Sequence, residues 1–112
     1  MPDLLGEGIN LFNAGSYFDA HEVWEDMWRV TTGPSRDFYQ GLIHATVALY
    51  HLSKENRNGA QSQIEKSLKK LEPYPSDYCG INVAELQQNL RLILEENLEL
   101  NGRSIQISRN FR

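Results

Sequence analysis

The sequence predicts an all-α, single-domain bundle of about five helices with a central helix at residues 36–53. Apolar residues recur every three or four positions along most of the chain, which is the period of an amphipathic helix. Gly, Pro and Asn interrupt this pattern at short intervals, as they commonly do between helices. The segment FYQGLIHATVALYH, Phe38 to His51, is apolar on nearly all sides, which is typical of a buried helix.

Two helices are predicted ahead of the central one. The first spans residues 3–13, and Gly15 is well placed to end it in a left-handed conformation. Ser16 is a suitable N-cap for the second helix, Tyr17–Val30, and Asp19 stands near the reciprocal position of a capping box. The turn between these helices is short, so we expect them to pack as a helical hairpin.

The central helix follows a turn at residues 31–35. Gly33-Pro34 cannot continue the preceding helix, and Ser35 is a ready N-cap for the next one. This third helix runs to about Lys54, whose positive charge suits the negative end of the helix dipole. With so short a turn, we expect the second and third helices to pack antiparallel.

The fourth helix is predicted at Gly59–Leu71. Asn58 is the expected N-cap, and Gln61 stands at the reciprocal capping position. Two prolines then stop the helix. The segment PYPSDYCG, residues 73–80, is predicted to be a structured loop rather than a linker, because its two tyrosines can pack.

The fifth helix is predicted from Asn82 to Leu100. Asn82 and Glu85 form its capping pair, and the apolar residues that follow have the helical period. We therefore expect residues 1–100 to form the helical domain. Residues 101–112 form a C-terminal tail in which fraying and flexibility are favoured over a short extended segment.

Composition limits the function classes. The formal net charge of the 112-residue chain is −4, which gives no general basic surface for nucleic acid. No window approaches the roughly 18 apolar residues of a membrane-spanning helix. The opening MPDLLGEG does not resemble a signal peptide, and the single cysteine, Cys79, favours a reducing compartment. We expect a cytoplasmic protein, and the sequence is compatible with a homo-oligomer.

The chemistry is expected where polar residues interrupt apolar helix faces. His21 and Glu25 lie one turn apart on the second helix, beside two tryptophans. A carboxylate buried there must be paired, hydrogen-bonded or bound to a metal. If the second and third helices pack antiparallel, the central helix supplies the partners. The predicted polar cleft therefore comprises His21, Glu22, Glu25, Arg36, Gln40 and His44.

One interpretation of this cleft is a metal site. His21 and Glu25 can share an ion, and His44 would arrive from the facing helix. Two histidines and one carboxylate suit a divalent metal such as zinc and leave a position open for water. Glu22 is then the candidate general base. His44 and His51 are about 10.5 Å apart along the helix axis, so His51 is expected to have a different role.

The alternative interpretation is structural. The same polar residues can form a buried hydrogen-bond and ion-pair network that holds the helices in register, because buried polar groups must be satisfied. Trp24 and Trp28 are then core residues, Gly41 permits close packing, and His51 interacts with the end of its helix.

Three segments, GSYFDAHEVWEDMW, RDFYQGLIHATVALYH and NGAQSQIEKSLKKL, closely resemble domain-of-unknown-function family 309. The resemblance covers residues 4–94 and implies an all-α fold around a central helix. It also implies the label predicted metal-dependent hydrolase, without an assigned substrate. His44 is not among the positions that carry the family motif, which are His21, Glu22, Trp24, Glu25, Trp28, Arg36, Gln40, Gly41 and His51.

A looser likeness is to tetratricopeptide hairpins. The spacing of Gly8, Gly15, Tyr17 and Trp24 follows that helix–turn–helix pattern. The next comparable turn, at Gly59, comes 44 residues after Gly15 rather than about 34, so no repeat is established. The likeness supports helical-hairpin packing and a second function class. The sequence thus leaves two hypotheses: a small metal-dependent enzyme or metal binder, and a non-catalytic interaction or scaffold protein.

Overall fold

Five helices follow one another with short connections in a computed structural model that describes residues 3–110. The helices are α1 (Leu4–Asn13), α2 (Tyr17–Val30), α3 (Ser35–Ser53), α4 (Arg57–Leu71) and α5 (Val83–Glu95). Two short strands, β1 (Asp77–Tyr78) and β2 (Ile81–Asn82), form an antiparallel hairpin between α4 and α5. The all-α prediction is confirmed.

Helix α3 lies at the centre of the fold, as predicted. It packs against α2 on one side and α4 on the other. Because neighbouring helices cover it on several sides, its apolar residues do not form one narrow stripe, and a helix of that kind is buried. Its buried residues are Phe38, Gly41, Leu42, Ile43, Ala45, Thr46, Ala48 and Leu49.

Two glycines let helices approach each other closely. A Cβ atom at Gly8 of α1 would overlap the Trp24 indole of α2, so this crossing requires glycine. The Trp24 Nε1–H also donates to the Leu5 carbonyl at 3.3 Å, which ties the same two helices together. At Gly41 of α3, a Cβ atom would lie 2.8 Å from Leu71 Cδ2 of α4.

The observed N-termini of three helices correct the capping predictions. Ser16 does occupy the N-cap of α2, but its side chain makes no capping hydrogen bond. Pro34, not Ser35, is the N-cap residue of α3. Helix α4 begins earlier than predicted, because Asn56 rather than Asn58 caps it and accepts a hydrogen bond from the Gly59 amide at 3.0 Å. Two asparagines suit this cap, and sequence alone does not separate them.

The loop predicted at residues 73–80 is structured, and it leads into the β1–β2 hairpin. Tyr74 and Tyr78 pack edge-on against Phe38, with ring centroids 5.2 and 4.8 Å away. The turn of the hairpin is Cys79-Gly80, and both residues have positive φ, 53° and 72°. Because each strand has only two residues, the sequence shows no alternating pattern that could have predicted it.

Helix α5 ends at Glu95 rather than at the predicted Leu100. The Leu98 amide donates to the Ile93 carbonyl at 2.8 Å, which closes the last turn. Asn97 and Leu98 adopt left-handed conformations with φ of 59° and 62°. Asparagine is accepted at this position of a helix C-terminus, whereas leucine is unusual there.

The C-terminal segment, defined as residues 104–110, packs on the rest of the chain and does not fray as the sequence suggested. Ile105 and Ile107 are only 4% and 2% exposed. The Asn13 side chain both donates to the Ile107 carbonyl, at 3.0 Å, and accepts from the Ile107 amide, at 2.8 Å. Arg109 forms a β-bridge with Ile81. Residues 111–112 of the predicted tail lie outside the described residues.

Within residues 3–110, no helix combines the length and apolar character that crossing a membrane requires.

Candidate functional site

His21 and Glu25 meet on α2 as the sequence predicted. His21 Nε2 lies 3.4 Å from Glu25 Oε1, and both side chains are about one-third exposed. The second oxygen of Glu25 lies 3.3 Å from Arg29, which also pairs with Asp26 at 2.7 Å. Solvent-exposed pairs of this kind contribute little to stability. The carboxylate of Glu25 is therefore satisfied by a surface ladder on its own helix, not by a buried network.

Arg36 does not pair with Glu25. Its guanidinium lies 4.0 Å from the Trp28 ring and donates hydrogen bonds to the carbonyls of Trp28, at 3.0 Å, and Thr31, at 2.9 Å. It thus caps the C-terminal end of α2 and fastens the turn into α3. Gln40, half-buried one turn further along α3, makes no hydrogen bond to His21 or Glu25 in the described structure.

His44 faces α4 instead of α2. Its Nδ1 lies 2.7 Å from Gln63 Oε1, so the imidazole donates from Nδ1 to the amide oxygen. Burial lowers the pKa of His44, the nearby Lys66 and Lys70 lower it further, and only the hydrogen bond to Gln63 opposes them. The neutral imidazole is favoured there mainly because burial penalises the charged form, and the two lysines add to this effect.

The predicted metal ligands therefore do not assemble. His21 and Glu25 are adjacent, whereas His44 is engaged with Gln63 on another helix. Across residues 3–110, no three His, Cys, Asp or Glu side chains come close enough together to hold one metal ion. Glu22, the candidate general base, is exposed on α2.

The histidine that does join His21 is His51. Both line a cavity of about 200 Å³ between the start of α2 and the end of α3. The sequence analysis assigned His51 a role apart from His21, because His51 is two turns from His44. The predicted antiparallel packing of α2 and α3 could have indicated the pairing, since it sets the first turns of α2 opposite the last turns of α3. The cavity is lined by Tyr17, Phe18, His21, Val47, Tyr50 and His51.

The walls of this cavity are mainly aromatic. The Phe18 ring lies 6.1 Å from the Tyr50 ring and 6.3 Å from the His21 ring, measured between centroids. Burial raises the pKa of Tyr17, so its phenol is uncharged at neutral pH. Phe18 itself is 55% exposed. We call this site, defined by its six lining residues, the aromatic pocket.

His51 is oriented from the α3–α4 turn. Asn56 Oδ1 accepts from the Gly59 amide, which leaves Asn56 Nδ2 to donate to His51 Nδ1 at 3.2 Å. The neutral ring therefore carries its proton on Nε2. One asparagine thus caps α4 and sets the tautomer of His51.

The two tryptophans have different environments. Trp24 is fully buried in the core, as the structural interpretation expected. Trp28 is only partly buried and supports the Arg36 guanidinium on its face. Neither lines the aromatic pocket.

The fold and site define a small all-α protein built of sequential antiparallel helices around a central helix, with an aromatic pocket between α2 and α3. The chain belongs to the family described as domain of unknown function (DUF309), whose model matches residues 5–63. The resemblance stated from the sequence is therefore confirmed.

Two relatives show how the chain compares with longer proteins. An uncharacterised protein of Aquifex aeolicus (strain VF5) is 28% identical over 93 residues, which is 82% of this chain and 28% of that protein. The uncharacterised protein YpuF of Bacillus subtilis (strain 168) is 33% identical over 57 residues, which is 50% of this chain and 33% of YpuF. The chain thus spans about a third or less of these relatives, and neither carries a known function.

Proposed function

We propose that this chain is a non-catalytic binding module whose aromatic pocket receives one apolar or aromatic side chain from a partner protein. The observation that carries the proposal is Phe18, which is 55% exposed at the edge of an apolar cavity. Aromatic residues are enriched in protein interfaces, and the side chains that dominate binding energy commonly fill pockets.

The size of the pocket supports a side chain over a free substrate. Cavities that bind small molecules are typically about 300–1,000 Å³. The aromatic pocket, at about 200 Å³, is smaller and suits a single large side chain. The edge of the cavity remains open to solvent at Phe18, so a peptide backbone can pass across it.

The charges around the pocket indicate the flanks of the partner. Asp19 and Glu22 are exposed on α2, one and four residues after Phe18. Glu25 and Asp26 continue this acidic face, although Arg29 pairs with both. Lys and Arg residues beside the anchoring side chain would therefore be favoured, because complementary charges across an interface increase the association rate and the specificity.

The metal-dependent hydrolase interpretation has less support. Its third ligand, His44, faces α4, and within residues 3–110 no other side chain completes a set of three ligands with His21 and Glu25. The lengths of the relatives favour the module interpretation, because the matched region is only part of a longer chain in those proteins.

Titration of the labelled protein with three short capped probes, followed by NMR, tests the proposal. The probes are acetyl-Lys-Trp-Lys-amide, its Glu-Trp-Glu counterpart and neutral acetyl-Trp-amide. We expect all three to shift the signals of His21 and His51, with the lysine probe binding about three- to tenfold more tightly than the glutamate probe. Phe18→Ala should weaken binding of every probe.

Val30→Ala is the matched control, because Val30 is an 80% exposed apolar residue on the same helix and does not line the pocket. Its affinities should equal those of the wild type. The proposal fails if no probe shifts the two histidines, or if Val30→Ala weakens binding as much as Phe18→Ala does.

A cytoplasmic setting is also proposed. The thiol of Cys79 is free and exposed, and an exposed free thiol persists best in a reducing compartment. Fractionation of cells that express the whole protein would check this location.

A further inference from the structure

We propose that the C-terminal segment (residues 104–110) exchanges between two copies of this chain, so that each copy docks its segment on the other and a homodimer forms. The partner in this inference is a second copy, and the surface is the one that the segment already covers within a single chain. It is independent of the aromatic pocket, because the segment does not line that pocket.

The contacts that hold the segment reach α1, the β1–β2 hairpin and the first turn of α5. Asn13 pairs with the Ile107 backbone in both directions. The Asn82 amide donates to the Ser108 carbonyl at 2.9 Å, and the Asn110 amide donates to the Gly80 carbonyl at 2.7 Å. An identical segment from another copy can make every one of these contacts, so exchange loses none of them.

In the connection between α5 and the segment, the local helix propensity of the residues conflicts with the backbone conformation that they adopt in the folded chain. Residues 96–100, ENLEL, include good helix formers, and the sequence alone extends α5 through them. In the folded chain, Leu98 instead adopts a left-handed conformation with φ of 62°. Left-handed backbone is unfavourable for a residue with a Cβ atom, and leucine has no side-chain hydrogen bond to offset the cost. Helical extension would remove this strain.

Extension of α5 would also carry the segment away from its own docking site. Ser108 Oγ donates to Glu85 Oε1 at 2.6 Å, so in the closed chain the segment returns to the first turn of α5. If α5 continued to Asn101, the sixteen residues from Glu85 would cover about 24 Å. The seven residues that follow span only about 23–25 Å when straight, which leaves none for the reversal. The open chain would therefore dock its segment on another copy.

Substitutions at Leu98 separate strain from packing. Leu98→Gly and Leu98→Ala remove the same side-chain contacts, but glycine accepts the left-handed conformation and disfavours a helix, whereas alanine does the opposite. After refolding from urea at about 10 µM and about 1 mM, dimerisation is measured by light scattering on a sizing column. We expect Leu98→Gly to dimerise more weakly than Leu98→Ala, with an association constant about a hundredfold lower.

A mixed sample tests whether the dimer is exchanged. One copy carries ¹⁵N and the other ¹³C, and a filtered NMR experiment detects transfer between the Ile107 amide of one and the Asn13 side chain of the other. We expect this intermolecular signal in wild-type dimer. The proposal is overturned if wild type and Leu98→Ala stay monomeric at the higher concentration. A dimer without the Ile107–Asn13 signal, or one equally stable in both Leu98 variants, also overturns it.

Discussion

Ser67 of α4 donates a hydrogen bond from its Oγ to the backbone carbonyl of Gly41 in α3, over 2.7 Å and entirely within the core. The carbonyl belongs to the helix backbone and already serves the α3 ladder, so the serine uses its second lone pair. The contact is possible because Gly41 has no side chain to hold α4 away. The polar bond and the missing Cβ atom are thus two parts of one helix crossing.

Ser67→Ala is expected to lower the free energy of unfolding by about 1 kcal/mol. The substitution removes the hydrogen bond but leaves the Gly41 carbonyl its intrahelical partner, so the loss stays near that of one net hydrogen bond. Urea unfolding measures it. Ser62→Ala, at an exposed position of the same helix, is the control and should be neutral or slightly stabilising. An equal effect at both positions would contradict this account of the crossing.

Gly41→Ala should be more damaging, although alanine is the better helix former. The added Cβ atom would lie 2.8 Å from Leu71 Cδ2 and 3.3 Å from Lys70 Cβ, so α4 must move. Overpacking of this kind typically costs about 1–3 kcal/mol. Leu71→Ala is itself destabilising because Leu71 is fully buried, but the double variant should lose less than the sum of the two single losses. A double-mutant cycle measures this coupling. Simple additivity of the two substitutions would show that the atoms do not meet.

Glu25→Ala is expected to change the free energy of unfolding by less than about 1 kcal/mol, because its pairs with His21 and Arg29 are solvent-exposed. Thermal and urea unfolding at low and high salt measure this. Glu22→Ala, at an exposed acid on the same helix, is the matched control. A loss above about 2 kcal/mol for Glu25 alone would restore the interpretation of a buried structural network.

His44 is expected to make the protein less stable in mild acid. Burial and two lysines hold its pKa in the folded state below the 6.5 of the unfolded chain, so between these values the unfolded state binds more protons. Its contribution is therefore complete above about pH 6.5 and is lost as pH falls toward the folded-state pKa. The slope cannot exceed about 1.4 kcal/mol per pH unit for one group.

His44→Asn isolates that contribution, because the asparagine Nδ2 lies near the place of the imidazole Nδ1, can still donate to Gln63 and does not titrate. The difference in unfolding free energy between wild type and variant should shrink steadily from pH 7 to pH 5. A difference that stays constant over this range would exclude His44 as the source of the pH dependence.

Local signals predicted most of the fold. The bounds of α1 and α2 follow from Gly15 and from helical periodicity, both of which are visible within a few residues. The predicted end of α5 was wrong because residues 96–100 favour a helix locally, whereas in the folded chain the packing of a later segment takes them out of it. The prediction that the tail around Ile105 and Ile107 frays was also wrong because it considered local sequence alone. Their docking site on α1 lies more than 90 residues away in sequence.

The site was harder to predict than the fold. A helical wheel identified His21 and Glu25 as neighbours, because both lie on one helix. It could not rank His44 against His51 as the partner, since this depends on how α2 and α3 are rotated against each other. That rotation directs His44 toward Gln63 and brings His51 to the aromatic pocket.

The paired contact between Asn13 and Ile107 has a consequence for the order of folding. The helices pack mainly with neighbours in sequence, which are fast to form, whereas this contact closes a loop of 94 residues. We therefore expect it to be absent from the folding transition state. Weakening it would speed unfolding and leave the refolding rate nearly unchanged. The kinetic lifetime of the native protein would then depend on its last contacts more than on its central helix.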